Sequence, residues 1–274
     1  MVAMDGARSL PRIPELNERR TTAYLERLGV GGDLAINAAT LTDLHERHLR
    51  TIPFENLSIH LGEPIVLDVD ALADKLTVRR RGGFCYELNG AFAALLTTLG
   101  FDVALFEARV VIGGGESMPF DHLCLRVRVD GAEYLTDVGF GASFLRPLEL
   151  GRPGPQADPA GIYEVVEMGP DQFDMMENGQ PQYRYSTVER HLSEFADGCH
   201  YHQTSPVSHF TQDTVCSLAT ATGRVTIAGR TLITTADGQR AEHAIASDDE
   251  LLALYRRHFG ITLDRPPWRA NQLR

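Results

Sequence analysis

No stretch of this 274-residue chain approaches the roughly 18 consecutive apolar residues that a membrane span requires. Met1–Leu10 holds no apolar run and does not read as a signal peptide, so a cytoplasmic location is expected. Cysteine is sparse. Cys85, Cys124, Cys199 and Cys216 lie far apart with no CxxC pair, which argues against a disulfide framework and against a zinc site. Each is then a buried hydrophobe or, for one of them, a nucleophile. Positive charge is also short: 26 Lys and Arg face 37 Asp and Glu, for a net charge of −11. That balance speaks against broad electrostatic binding to nucleic acid or to an anionic membrane, though a local basic pocket remains compatible with it. What is present, 43% hydrophobic and 23% charged residues, is the make-up of a globular protein and excludes disorder, collagen and a coiled coil. The length suits one large unit or two to three small ones and suffices for a proper core.

The first hundred residues read mostly as helix. Leu16, Tyr24, Leu25 and Leu28 recur at helical spacing and end at Gly29. Leu41, Leu44, His48 and Ile52 mark a second helix that stops before Pro53. Leu67–Leu76 is a shorter candidate. After Gly82-Gly83 a strong helix starts at about Cys85, with Leu88, Phe92, Leu95, Leu96 and Leu99 behind it and Gly100 at its end. The period then changes to two. Val103–Ile112 reads as strand, and Leu123–Val129 and Glu133–Val138 flank Asp130-Gly131, a strong hairpin signal. Tyr163–Met168, Phe173–Met176 and Tyr183–Val188 read as further strands, with a turn at Asn178-Gly179 and a Pro/Gly-rich loop over Gly151–Gly161. The middle of the chain is therefore antiparallel β, a barrel or a strongly curved sheet. Val215–Leu218, Arg224–Ile227 and Arg230–Thr234 are strands of a last α/β piece, and Ser247 with Glu250 forms a capping box for a final helix.

The segment Arg81-Gly82-Gly83-Phe84-Cys85-Tyr86-Glu87-Leu88-Asn89 carries the chemistry. Two glycines permit a sharp turn and a close approach. They deliver Cys85 to the first turn of a helix, where the dipole and free N–H groups favour a thiolate. A nucleophilic cysteine needs a base, and the base needs an orienting group. His122 opens the strand before Asp130-Gly131. Pairing about that turn sets 122 roughly opposite 139, which brings Asp137 diagonally close to His122.

These residues resemble a known family, the arylamine N-acetyltransferases. Arg81–Asn89 resembles its active-site segment, and Ile52-Pro53-Phe54-Glu55-Asn56-Leu57 a second block. Asp121-His122 and Asp137-Val138-Gly139-Phe140-Gly141 match the blocks that hold the family's histidine and aspartate. A looser match continues through Ser208–Thr211 and the C-terminal strands, so nearly the whole chain is covered. The resemblance implies an α+β fold: a helical bundle over 1–100 carrying Cys85, an antiparallel β-barrel over 101–206 carrying His122 and Asp137, and an α/β lid over 207–274. The bundle and barrel would share the cysteine-protease and transglutaminase core. Cys85 would be the nucleophile, His122 its base and Asp137 the orienting acid. Acetyl-CoA would be the acyl donor of a ping-pong reaction, an arylamine or hydrazine the acceptor, and no metal would be needed. Phe54, Phe140 and Phe210 would line the acceptor pocket. Tyr86 would add a backbone N–H beside that of Cys85 in an oxyanion hole. The turn at Gly139 and Gly141 would touch CoA. A homodimer stays open.

Other residues read more blandly. Arg81 with Glu55 or Glu87 is expected as a structural ion pair beneath the site, and Cys124 as a small core residue near it. His45 with His48, and His200 with His202, lack the carboxylate or cysteine set of a metal site and read as solvated or helix-capping. Ile112–Pro119 is a glycine-rich loop without the tryptophan of some bacterial relatives; the only tryptophan is Trp268. Three alternatives keep the scaffold: an amide synthase that releases a polyketide-type chain, a hydrolase or transglutaminase-like enzyme, and a binding protein with an inert triad.

Overall fold

A computed structural model describes residues 12–268 of the chain; the expected extension at Met1–Ser9 lies outside them. Helix α1 (Glu18–Leu28) is capped by Asn17, whose side chain accepts the Arg20 N–H, and it ends at Gly29. Asn37 caps α2 (Ala38–Thr51) in the same way, and Pro53 prevents its continuation. After the two-residue strand β1 (Phe54–Glu55) come α3 (Leu57–Leu61), α4 (Val69–Thr77) and α5 (Cys85–Thr98). Every residue of α5 from Cys85 to Leu96 is buried. A helix apolar on all sides belongs in the middle of a core, and α5 packs between α4 and the sheet strands that follow.

Those strands are β2 (Asp102–Ile112), β3 (Gly115–Glu116), β4 (His122–Val129), β5 (Ala132–Thr136), β6 (Leu148–Glu149), β7 (Gln156–Asp158), β8 (Gly161–Gly169), β9 (Gln172–Glu177) and β10 (Gln180–Ser186). Their antiparallel order is β6-β5-β4-β2-β10-β9-β8-β7, with β3 hydrogen-bonded to β2. The outer edges of this order meet through one side chain. Gln156 accepts the Glu149 N–H at 3.0 Å and donates to the Glu149 carbonyl at 2.9 Å. The sheet is thereby nearly closed into a barrel, filled by Phe106, Cys124, Leu135, Phe144, Tyr163 and Tyr183. Cys124 is thus a barrel-core residue.

A 3-10 turn (Leu192–Phe195), α6 (Ala196–Thr204) and the single turn α7 (His209–Gln212) lead into a second antiparallel sheet. It contains β11 (Val215–Ala219), β12 (Gly223–Ala228), β13 (Thr231–Ala236) and β14 (Gln239–Ala244), and its other edge is β1 from the helical region. Helix α8 (Asp248–Phe259) covers it with Leu251, Tyr255 and Phe259. The Ser247 hydroxyl accepts the Glu250 N–H at 3.2 Å, and the Glu250 carboxylate accepts from Ala246, one residue earlier than the expected capping box.

Several elements escape the sequence pattern, among them α3, α6, α7 and β3, the last inside the stretch read as a glycine-rich loop. The Pro/Gly-rich loop over Gly151–Gly161 contains β7, fixed by the Gln156 bonds rather than by any apolar alternation. β14 also escapes the pattern: all six of its residues are exposed, as suits a polar outer strand.

Candidate active site

Gly82 and Gly83 both have ordinary negative φ; close approach, not a left-handed turn, is what requires them. A Cβ on Gly82 would lie 1.9 Å from the Pro53 carbonyl oxygen. The Gly83 N–H donates to that oxygen at 3.3 Å, and the Gly83 carbonyl accepts the Glu55 N–H at 2.8 Å. The loop before Cys85 is therefore clamped to β1. Beneath it, Arg81 pairs with Glu55 at 2.9 Å, the first of the two expected partners. Glu87 pairs instead with Lys75 at 2.5 Å, because α4 brings that ammonium to it. The Glu87 carboxylate also accepts the Phe84 N–H at 3.2 Å, which fixes the first turn of α5 with Cys85 as its first residue.

The hairpin register is the one expected from Asp130-Gly131. Leu125 pairs with Thr136 and Arg126 with Leu135, so the line continues to 122 opposite 139. His122 and Asp137 meet: Nε2 of the imidazole donates to Oδ2 of the carboxylate at 2.7 Å. Asp137 is fully enclosed and takes two more hydrogen bonds on Oδ1, from Asn89 Nδ2 and from the Gly139 N–H, each at 2.8 Å. Burial pushes the Asp137 carboxyl up, but the neighbouring His122 charge and these donors outweigh it and hold the group below its ordinary range. With Nε2 committed to Asp137, Nδ1 is the ring atom left to exchange a proton.

Cys85 and His122 open on one cavity of about 450 Å³. Phe54, Phe140 and Phe210 line it, and the Phe140 ring stands edge-on to the His122 imidazole at 5.2 Å between centroids. Gly139 lies against Cys85: a Cβ there would sit 2.7 Å from the Cys85 Cα. Gly141, at φ 93°, lies behind the Phe54 ring. The Tyr86 side chain does not face the cavity. It is fully buried and donates to the Phe120 carbonyl at 2.7 Å, so the side chain is not available to a ligand.

One expectation needs correction. The helix start was read as favouring a thiolate. Burial instead pushes the Cys85 thiol well up, and the Asp121 carboxylate adds to this, while a hydrogen bond with the Leu123 backbone acts the other way. The thiol form is thus the one that the enclosure of Cys85 favours.

Three buried histidines and one amide carry roles that the sequence reading did not assign. His45 accepts the Asp137 N–H at 3.2 Å, bonds the Leu145 carbonyl at 2.8 Å, and stacks on Phe144. His48 bonds the Tyr24 hydroxyl, and His202 the Asp121 carboxylate. All three were expected to be solvated or capping; their partners come from distant segments, which spacing does not reveal. Asn89 was legible in part, since it lies four residues after Cys85 on one helix face. Among the described residues no group of three or more His, Cys, Asp or Glu is arranged to hold a metal ion. Nor is any helix there long and apolar enough to cross a membrane.

A family model described as N-acetyltransferase matches residues 37–267. The arylamine N-acetyltransferase of Escherichia coli (strain K12) is 33% identical over 248 residues, 88% of this chain and 88% of its own. The chain belongs to the arylamine N-acetyltransferase family. The M. smegmatis enzyme of this family superposes with a TM-score of 0.83 at 33% identity, covering 89% of this chain and 94% of that one. The Mycobacterium marinum enzyme, solved in complex with CoA, gives 0.81 at 30% identity over 88% and 92%. The arylamine N-acetyltransferases are acyltransferases, and so is this chain.

Proposed function

We propose that the enzyme moves an acetyl group from acetyl-CoA to the nitrogen of an arylamine or arylhydrazine, by a ping-pong reaction through an acetyl-Cys85 intermediate. The observation that carries this reading is the 2.7 Å His122–Asp137 pair, whose imidazole lines the same apolar cavity as Cys85, the first residue of α5. The CoA complex of the M. marinum relative supports the donor. The family's core and lid arrangement, with its kinship to cysteine proteases and transglutaminases, belongs to the same reading.

In the first half-reaction His122 Nδ1 takes the Cys85 proton, and the thiolate attacks the acetyl carbonyl. The oxyanion is met by the N–H groups of Cys85 and Tyr86, the first two of α5, which lack acceptors within the helix. The carbonyl re-forms, the C–S bond to CoA breaks, and the departing sulfur takes the proton from His122. Thiols are comparable leaving groups, so this exchange is near balance. In the second half-reaction the amine attacks the thioester and gives its proton to His122, and Cys85 leaves. An arylamine is neutral at pH 7 and needs no prior deprotonation. Phe54, Phe140 and Phe210 would hold its ring, and the chain around Gly139 and Gly141 would border CoA.

Intact-protein mass spectrometry after mixing with acetyl-CoA alone tests this. One acetyl group should appear on the wild type and none on Cys85→Ala. An acetylated Cys85→Ala, or a wild type acylated only by a carrier-bound chain, would overturn it, the latter in favour of the amide synthase.

A further inference from the structure

Beside the Cys85–His122–Asp137 set lies a second titratable unit that the mechanism above does not use. Asp121 lines the same cavity, and its side chain is nine-tenths buried. Its Oδ1 accepts from His202 Nε2 at 2.8 Å, and it also takes a hydrogen bond from the Ser117 hydroxyl. His202, on α6, is itself buried and meets the Ser208 hydroxyl through Nδ1 at 2.9 Å. A hydroxyl both donates and accepts, so this chain is satisfied whether His202 is neutral or cationic. The Asp121 backbone is tied to the nucleophile as well: its carbonyl lies 4.0 Å from Cys85 Sγ and accepts the Tyr86 hydroxyl at 3.1 Å.

We infer that Asp121, held in place by His202 and Ser117, is a positioning residue whose fixed negative charge sets how readily Cys85 gives up its proton. The inference rests on the reading of Cys85 as nucleophile. The groups that face Cys85 are Asp121, His122 and the Cys124 thiol from the β4 side, Asp137 after β5, the Tyr86 hydroxyl of its own helix, and the Cys199 thiol of α6. Those that face Asp121 are His202, Ser117, His122, Tyr86 and Cys85, with His209 of α7 also within its field. Asp137 is hydrogen-bonded to the His122 imidazole and belongs to the reacting set, and the Cys199 thiol is held protonated by burial, its pKa pushed up to about 12. Asp121 is therefore the carboxylate that opposes a thiolate from outside the reacting set.

The test is the pH profile of Cys85 alkylation by iodoacetamide, with the modified residue located by peptide mass spectrometry. In Asp121→Asn the midpoint should fall by about one pH unit, the effect of removing one charge several ångströms away in a partly hydrated cleft. Asp121→Ser, which removes the charge with a smaller side chain, should move it the same way and covers the case in which Asp121→Asn does not fold. A midpoint unchanged in the folded variants, with Cys85 still titrating, overturns the inference. A wild type in which Cys85 neither titrates nor takes up acetyl overturns the nucleophile reading instead.

Discussion

Asn89→Ala is the most informative single perturbation of the site. The amide makes three buried hydrogen bonds: Nδ2 donates to the Leu123 carbonyl at 2.6 Å and to Asp137 Oδ1 at 2.8 Å, and Oδ1 accepts the Val138 N–H at 2.9 Å. Each group stranded by truncation costs about 1–3 kcal/mol, and neighbouring losses do not add fully, so a loss of about 3–5 kcal/mol is expected. The carboxylate keeps its bonds to His122 and to the Gly139 N–H. It therefore stays in place, but burial is less well opposed and its hold on the imidazole weakens. Acylation should slow by about tenfold or more, a little over 1 kcal/mol of barrier. Urea unfolding followed by circular dichroism reads the first effect, and stopped-flow release of CoA in the absence of acceptor reads the second. A variant that loses less than about 1 kcal/mol, or acylates at the wild-type rate, would refute the claim that this amide supports the Asp137–His122 pair.

Two further outcomes follow from local geometry. Gly139→Ala places a methyl 2.7 Å from both the Cys85 Cα and Asn89 Nδ2, so it should cost about 1–3 kcal/mol in denaturant unfolding and slow acylation more than it weakens acceptor binding. Acidification should also destabilise the fold. Burial holds His45 below its ordinary range and His48 well below it, so both are neutral when folded and take up protons on unfolding. The unfolded chain then binds more protons below about pH 6.5, and stability falls with pH by up to about 1.4 kcal/mol per unit for each histidine. His48→Gln should flatten that slope between pH 6.5 and 5 by about half, measured as urea midpoints against pH; an unaltered slope would show that His48 is not its source.

What the sequence made legible was local. Two residues in a tight turn fix a hairpin's register, so Asp130-Gly131 alone was enough to bring His122 to Asp137. Gly29, Pro53 and Gly100 likewise mark helix ends through backbone conformations that their own chemistry demands. What stayed hidden depends on distant partners. His45 reaches across 92 positions to Asp137, and His202 across 81 to Asp121, and no window of pattern contains both ends. The Cys85 environment was misjudged for a related reason. A helix start is visible in sequence, whereas the burial that outweighs it comes from the tertiary packing of β4 and α6 against α5.

The two-residue strand β1 makes the C-terminal sheet part of the reaction's scaffolding. Phe54 pairs with Ser217 on one side and with Gly83 on the other, so an unbroken line of backbone bonds runs from β12 through β11 and β1 to the loop that presents Cys85. The loop that carries Cys85 is thus tied through backbone bonds to that outer sheet. Deleting the segment after Ala219 would leave the barrel, His122 and Asp137 in the chain, yet it would strip β11 of its outer neighbour and loosen the anchor of the Cys85 loop. The helices, barrel and outer sheet are consequently one mechanical unit, and amide exchange at Gly83 and Glu55 should slow or quicken together with exchange in β11.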